Sequence, residues 1–363
     1  MSETIAPKPG LFEKEKRSAL DAISHAQFIA FAPYIFNASV ILRDSGILST
    51  VEAARQDGIS LEDVVSKVNM SHYGVRILLE AALGIGLVLR KDDKYSLSKT
   101  GHFFLNDNMT RVNTDFMRDV CYEGAKELDK SIANSKPEGL KYLGEWPTIY
   151  QGLSMLPEPA KKSWFDFDHY YSDHTFPEAM PMIFEHQPKK IMDIGANTGK
   201  FSLTCLKYNS DVELGLVDLG IQLKVAEKNI AEAGFTSRVQ YHERNVLDRN
   251  SELPTGYDII WMSQFLDCFS DDEVVFILEK CYRALNNGGR VYINELFWDR
   301  QKFEASAFSL QMTSLYFTTM ANGNSQMYDS KVFLQLIDKA GFEIVTQKDN
   351  IGQVHTILEL KKK

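Results

Sequence analysis

The chain has 363 residues, 44% hydrophobic and 25% charged, with a formal net charge of −9. That length holds two domains, and the acidic balance argues against a chain built to grip nucleic acid. The four cysteines (Cys121, Cys205, Cys268, Cys281) are scattered and form no CxxC pair. Neither a metal site nor a disulfide framework is expected, and a reduced, cytoplasmic setting is. No apolar run approaches the roughly 20 residues that span a bilayer, and "MSETIAPKPG" lacks the layout of a secretion signal.

In chain order, residues 1–19 read as a flexible tail and 20–108 as a winged-helix domain. "FIAFAPYIFNASVILRDSGILSTV" has apolar residues at helical spacing up to Gly46. Ser60 opens "SLEDVVSKVNM" as an N-cap with Asp63 reaching back. Ser71 caps "SHYGVRILLEAALGIG", broken by Gly84 and Gly86. "LVLRKDDKYSLSKTG" reads as two short strands around Asp92–Asp93. A DNA-reading helix would offer only Ser71, His72, Tyr73 and Arg76 among apolar residues, too few phosphate partners. Burial of the apolar first helices against a second copy of the chain is preferred.

Residues 109–188 are helical and aromatic, with Trp146, Tyr150, Trp164, Phe165, Phe167, Tyr170, Tyr171 and Phe176 in a short span. Prolines 147, 157, 159 and 177 cut the span into short helices. Most of these rings read as core, and the segment as a roof over an apolar ligand pocket.

From 189 to 363 strand and helix alternate, which predicts an α/β fold with a doubly wound, mostly parallel sheet. Ligands of such sheets sit beyond the carboxyl ends of the strands. The first strand ends in "IMDIGANTGKF", where Gly195 and Gly199 bracket the turn into a helix whose first N–H groups are free. A Cβ at Gly195 is expected to collide with a ligand. A dinucleotide fingerprint needs a second glycine where Asn197 stands, which disfavours an oxidoreductase. Asp193 would repel a pyrophosphate and attract a cationic amino-acid group. Asp218, in "LVDL" about 20 residues on, suits a ribose diol. Asn245 and Val246 end the third strand, where a polar side chain meets an adenine edge.

These residues resemble the class I S-adenosylmethionine-dependent methyltransferases. With the helical N-terminal domain, the aromatic middle and "YRALNNGGRVYINE", the chain resembles the caffeate/hydroxyindole-type O-methyltransferases over roughly residues 25–360. The resemblance implies S-adenosylmethionine as cofactor, a small-molecule acceptor and a homodimer formed through the N-terminal domain, with no nucleic-acid or membrane partner. It assigns the methionine part to Asp193, Gly195 and Gly199, with Thr175 at its carboxylate. It assigns the ribose to Asp218 with Leu219, and the adenine to Asn245 and Val246.

The fourth strand ends "SQFLDCF", where the family usually has leucine, histidine, aspartate, tryptophan. Asp267 therefore stands at the catalytic histidine position, Phe269 at the tryptophan that packs on adenine, and Ser263 at a family lysine. Glu295 matches one family glutamate that orients the histidine; the other falls near Met327. Complete proton transfer from a phenol (pKa ~10) to an ordinary Asp is uphill by roughly 8 kcal/mol. Burial and Glu295 would raise Asp267 and narrow the gap. The readings are O-methylation first, then C-methylation of an activated carbon, then a cofactor binder without methyl transfer. A ligand-sensing winged-helix regulator is the rival from another class. "SDDE" after Phe269 reads as a capped helix start, Ser270 with Glu273.

Overall fold

The computed structural model describes residues 10–172 and 175–363. The expected tail lies outside the described residues as far as residue 9, and residues 10–18 are largely exposed. The described residues form two compact units, Glu13–Arg118 and Asp119–Lys363, the latter with residues 10–12.

The first unit runs α1 (Ala19–Ala30), α2 (Ala32–Asp44), α3 (Ile47–Ala53), α4 (Leu61–Val65), α5 (His72–Ile85), β1 (Val88–Lys91), β2 (Lys94–Leu97), α6 (Lys99–Asn106) and α7 (Asn108–Phe116). Ser18, Ser60 and Ser71 cap α1, α4 and α5 by accepting N–H groups in their first turns. α5 continues through Gly84 and stops at Gly86, whose φ of 88° only glycine adopts without cost. Asp92 and Asp93 both take positive φ in the β1–β2 turn, the conformation that fits the twist of a two-residue hairpin. Leu42, Ile47, Leu48, Val51, Val64, Val75 and Leu79 are fully buried and make this unit's core. α1 buries nothing: Leu20, Ile23 and Ile29 on it, and Tyr34 on α2, are exposed. No single helix among the described residues is long and apolar enough to cross a membrane.

The second unit begins with the aromatic segment, cut into α8 (Leu128–Asn134), α9 (Ile149–Gly152), α10 (Ala160–Ser172) and α11 (Phe176–Phe184). Then come β3 (Lys190–Ile194), α12 (Lys200–Tyr208), β4 (Glu213–Asp218), α13 (Gly220–Glu232), β5 (Val239–Glu243), β6 (Tyr257–Ser263), α14 (Asp271–Ala284) and β7 (Leu285–Glu295). α15 (Glu304–Tyr316), α16 (Ser330–Lys339), β8 (Phe342–Ile351) and β9 (His355–Lys362) complete it. The seven strands lie in the order β5-β4-β3-β6-β7-β9-β8; β3 to β7 pair in parallel, and β9 is antiparallel to both neighbours.

Alternate residues of each strand serve opposite faces. Met192, Ile194, Ile260, Met262, Val291 and Ile293 pack with α14 and α16. Ile191, Leu216, Ile259, Trp261 and Tyr292 pack with α11, α12 and α13. Both faces are covered, so the strands read as continuous apolar runs. Strand order reverses between β3 and β6, and the crevice at their carboxyl ends is where such a sheet takes its ligand.

Candidate active site

The β3–α12 turn contains three residues with positive φ: Gly195 (75°), Asn197 (47°) and Gly199 (79°). Its coil is fastened by the Asn197 N–H, which donates to Asp218 Oδ2 at 2.8 Å. Asp218 Oδ1 accepts from the Leu219 N–H at 2.7 Å, so this carboxylate braces the turn and opens α13 together. Burial raises its pKa against the pull of those two N–H groups. Asp193 is 3% exposed and accepts from Ser202 Oγ at 2.6 Å. Burial, with a smaller push from Asp218, raises it to about 7 although Ser202 opposes the shift.

Both glycines are also required by the fold itself. A Cβ at Gly195 would stand 2.3 Å from the ring of Phe265, so the space beside this Cα is taken by an aromatic side chain of the same protein. A Cβ at Gly199 would come within 3.2 Å of the Ala226 Cβ, which lets α12 and α13 pack closely.

At the end of β5, Asn245 is exposed and its Oδ1 accepts from the Leu247 N–H at 3.0 Å, turning the chain back on itself. Val246 is buried. The loop beyond is clamped by Lys280 of α14, a buried ammonium that donates to the carbonyls of Val246 (2.9 Å), Asp248 (2.6 Å) and Ser251 (2.7 Å). No sequence signal pointed to Lys280, because its partners lie about 30 residues away on a loop without regular structure.

Beyond β6 the chain leaves the sheet through Gln264, a non-glycine residue with φ 46°, and a short 3-10 turn over Leu266–Cys268. Phe265 and Phe269 meet edge to face at 5.0 Å. Glu295, last on β7, holds this exit: its Oε1 accepts the N–H groups of Phe265 (3.0 Å) and Leu266 (2.8 Å). Beside it, Asn294 Nδ2 donates to Ser263 Oγ (2.9 Å) and Thr175 Oγ1 (3.1 Å), joining the ends of β6 and β7 to the start of α11. Asn294 was not anticipated either, since its partners are 31 and 119 residues away. Met327, near the second family glutamate, is a buried apolar residue.

Asp267 is 4% exposed and accepts from the Cys268 thiol at 3.4 Å. Burial raises it to about 7, with a further push from Asp168. Burial and the charge of Asp267 hold Glu295 well above the ordinary carboxylate range. The helix after this turn is independent of it: Glu273 Oε2 accepts from the Ser270 N–H and hydroxyl at 2.9 and 2.8 Å. The roof reaches over the same place. The buried Tyr150 hydroxyl lies beside the Cys268 thiol. Trp164 Nε1 donates to Tyr316 Oη at 2.7 Å and ties α10 to α15.

The crevice therefore offers two carboxylates at adjacent strand ends, a glycine turn into a helix start, and buried acceptor atoms without partners, among them Asn294 Oδ1 and Gln264 Oε1. That donor-poor, acceptor-rich set fits a ligand bringing an ammonium group, a diol and a cationic sulfur.

Comparison with known proteins agrees. The model of the Dimerisation2-like domain matches residues 24–95, and that of the O-methyltransferase domain matches 182–343. The L-tyrosine C(3)-methyltransferase of Streptomyces lavendulae is 24% identical over 290 residues, 78% of either chain. A demethylspheroidene O-methyltransferase of Cereibacter sphaeroides is 33% identical over 238 residues, 65% of this chain and 61% of its own. The 3-hydroxy-5-methyl-1-naphthoate 3-O-methyltransferase of Streptomyces sahachiroi is 29% identical over 287 residues, 74% of this chain and 76% of its own. Among solved structures, the S-adenosylmethionine-dependent methyltransferase SibL in its apo form superposes with a TM-score of 0.69 at 20% identity. That match covers 94% of this chain and 99% of SibL, and shows a shared fold. The chain thus carries an O-methyltransferase domain behind a Dimerisation2-like domain and is an S-adenosylmethionine-dependent, O-methyltransferase-like enzyme.

Proposed function

We propose that this enzyme methylates the hydroxyl oxygen of a small aromatic acceptor, with Asp267 as the base. Bound S-adenosylmethionine supplies an electrophilic methyl group on a cationic sulfur. Asp193 and the turn from Gly195 to Gly199 hold its amino-acid end, with Thr175 and Ser263 oriented by Asn294. Asp218 and Leu219 take the ribose; Asn245, Val246 and Phe269 take the adenine. The N-terminal domain pairs with a second copy through α1 and α2.

The observation that carries the role of Asp267 is its burial in the turn after β6, which pushes its carboxyl up to about 7. Against a phenol near 10, the proton-transfer gap falls to ~4 kcal/mol, about half that for an unshifted Asp. Glu295 fixes the backbone of the turn that carries Asp267, so the carboxylate is presented without reorganisation.

A second reading is methylation at a ring carbon beside the hydroxyl. The coverage of both chains in the match to the L-tyrosine C(3)-methyltransferase favours it. Both readings need the same phenolate, and mass spectrometry of the product separates them. The mechanistic test is Asp267→Asn. With the true acceptor, kcat/KM should fall about 10²- to 10⁴-fold, and the wild-type rise in rate through pH about 7 should disappear. A variant with unchanged kcat/KM would remove Asp267 from the reaction. Absence of S-adenosylhomocysteine binding in calorimetry would defeat the cofactor assignment.

A further inference from the structure

The turn that carries Asp267 is gripped from two directions. Glu295 Oε1 takes the N–H groups of Phe265 and Leu266. From the other direction, the Cys268 carbonyl accepts from Asn322 Nδ2 at 2.5 Å, and the Phe269 carbonyl from the Tyr328 hydroxyl at 2.8 Å. Within the turn, the N–H groups of Cys268 and Phe269 donate to the carbonyls of Phe265 and Leu266, both at 3.2 Å. The backbone on either side of Asp267 is thus committed to fixed partners, 30 residues on at the end of β7 and 54 and 59 residues on beyond α15.

Asn322 and Tyr328 are themselves set in place. The end of α15 widens into a π-helical turn over Phe317–Ala321, a form that recurs at functional sites. This turn is seated on the residues flanking α8. The Gly139 N–H donates to the Thr319 carbonyl at 3.0 Å, and a Cβ at Gly124 or Gly139 would run into Met320 Sδ. Asn322 Oδ1 accepts from the Asn324 N–H (3.3 Å) and the Ser325 hydroxyl (2.7 Å), which turns its amide nitrogen toward Cys268. Tyr328 is 2% exposed, and its ring meets Phe333 of α16 edge to face at 5.2 Å.

Fixing the backbone on both flanks of one side chain stops that side chain from swinging with its turn. A base that must meet one acceptor hydroxyl needs this, since a displacement of about 1 Å costs ~10²-fold in rate. We infer that Asn322 and Tyr328 are positioning residues of the reaction: they clamp the carbonyls of Cys268 and Phe269 so that the turn presents the Asp267 carboxylate in the crevice. The inference rests on the proposed role of Asp267 and adds two residues that act through it. Loosening the clamp lets water reach the carboxylate while the sheet and the glycine turn stay as they are.

The test reads Asp267 itself and needs no acceptor. Full-length protein labelled with [γ-13C]aspartate and loaded with S-adenosylhomocysteine is titrated across neutral pH by NMR. The Asp267 resonance is the one missing in Asp267→Asn, and the Asp193 resonance the one missing in Asp193→Asn. Among the described residues, the titratable groups acting with Asp267 are Asp168 of α10, Glu295 of β7, Cys268, Tyr150 of α9 and Tyr328. Wild-type Asp267 should titrate near 7. Tyr328→Phe removes one oxygen and Asn322→Ala one amide. Each should lower the Asp267 midpoint by about one unit or more, toward the ~3.9 of a free Asp, and leave Asp193 where it was. Either variant carries the test should the other fail to fold. An unmoved Asp267, or an equal movement of Asp193, overturns the inference. A wild-type Asp267 that titrates as a free Asp defeats the base reading and the inference with it, so the two failures are told apart.

Discussion

Single side chains in this site carry more pH dependence than the rest of the sheet. Asp193 and Asp267 are both raised to about 7, above the ~3.9 of an Asp in an unfolded chain. Folding therefore favours their protonated forms. Their contribution to stability is fully present below pH about 4 and is lost as pH rises to about 7. Buried His355 acts with the opposite sign: burial lowers it to about 3, so it loses stability as pH falls below about 6.5. A difference measurement isolates the carboxyls. The melting temperature of Asp193→Asn minus that of wild type, both without ligand, should increase from pH 5 to pH 8. A flat difference would show that Asp193 is ionised throughout. The same burial was only partly legible in the sequence. Asp193 and Asp218 were recognisable from their places on adjacent strands; Asp267, expected at a strand end, lies in the turn after β6. The glycine turn was recognisable, but the Phe265 ring that stands beside Gly195 comes from about 70 residues on, which no local spacing announces.

Individual elements are held by contacts that fix loops from below. Lys280 is the clearest case, one ammonium on α14 filling three carbonyls of the loop after β5. Lys280→Met keeps much of the side-chain volume but leaves those carbonyls without their donor. The expected cost is ~3 kcal/mol of stability, measured by urea unfolding, with weaker S-adenosylhomocysteine binding because the loop begins at Val246. Full stability in the variant would mean that water replaces the ammonium without loss. Alternation of strand and helix was readable here because a buried parallel sheet writes long apolar runs and its helices write a 3.6-residue period. Caps were readable for the same local reason, as Ser60–Asp63 and Ser270–Glu273 show. Asn294 and Lys280 were not, because each acts through partners that only the finished topology brings near.

At the scale of the whole molecule, the N-terminal unit leaves an apolar face that its own core does not use. Leu20, Ile23 and Ile29 on α1, with Tyr34 on α2, are exposed at 62–79%, a patch of the kind that marks an interface. A second copy of the chain is the proposed cover. The double substitution Ile23→Asp, Ile29→Asp should convert a dimer to a monomer in sedimentation velocity at micromolar protein. A wild-type monomer, or a variant that stays dimeric, would exclude this face. Strand order in the other unit bears on a different matter, the timing of synthesis. β9 follows every other strand in the sequence yet sits between β7 and β8. Until it leaves the ribosome, β7 has an open edge and β8 has no neighbour, so the sheet cannot be completed from its earlier strands alone. Translation therefore passes through an interval in which the loops after β3 and β4 exist but the sheet that supports them still lacks β9, and completion of the sheet waits on that strand.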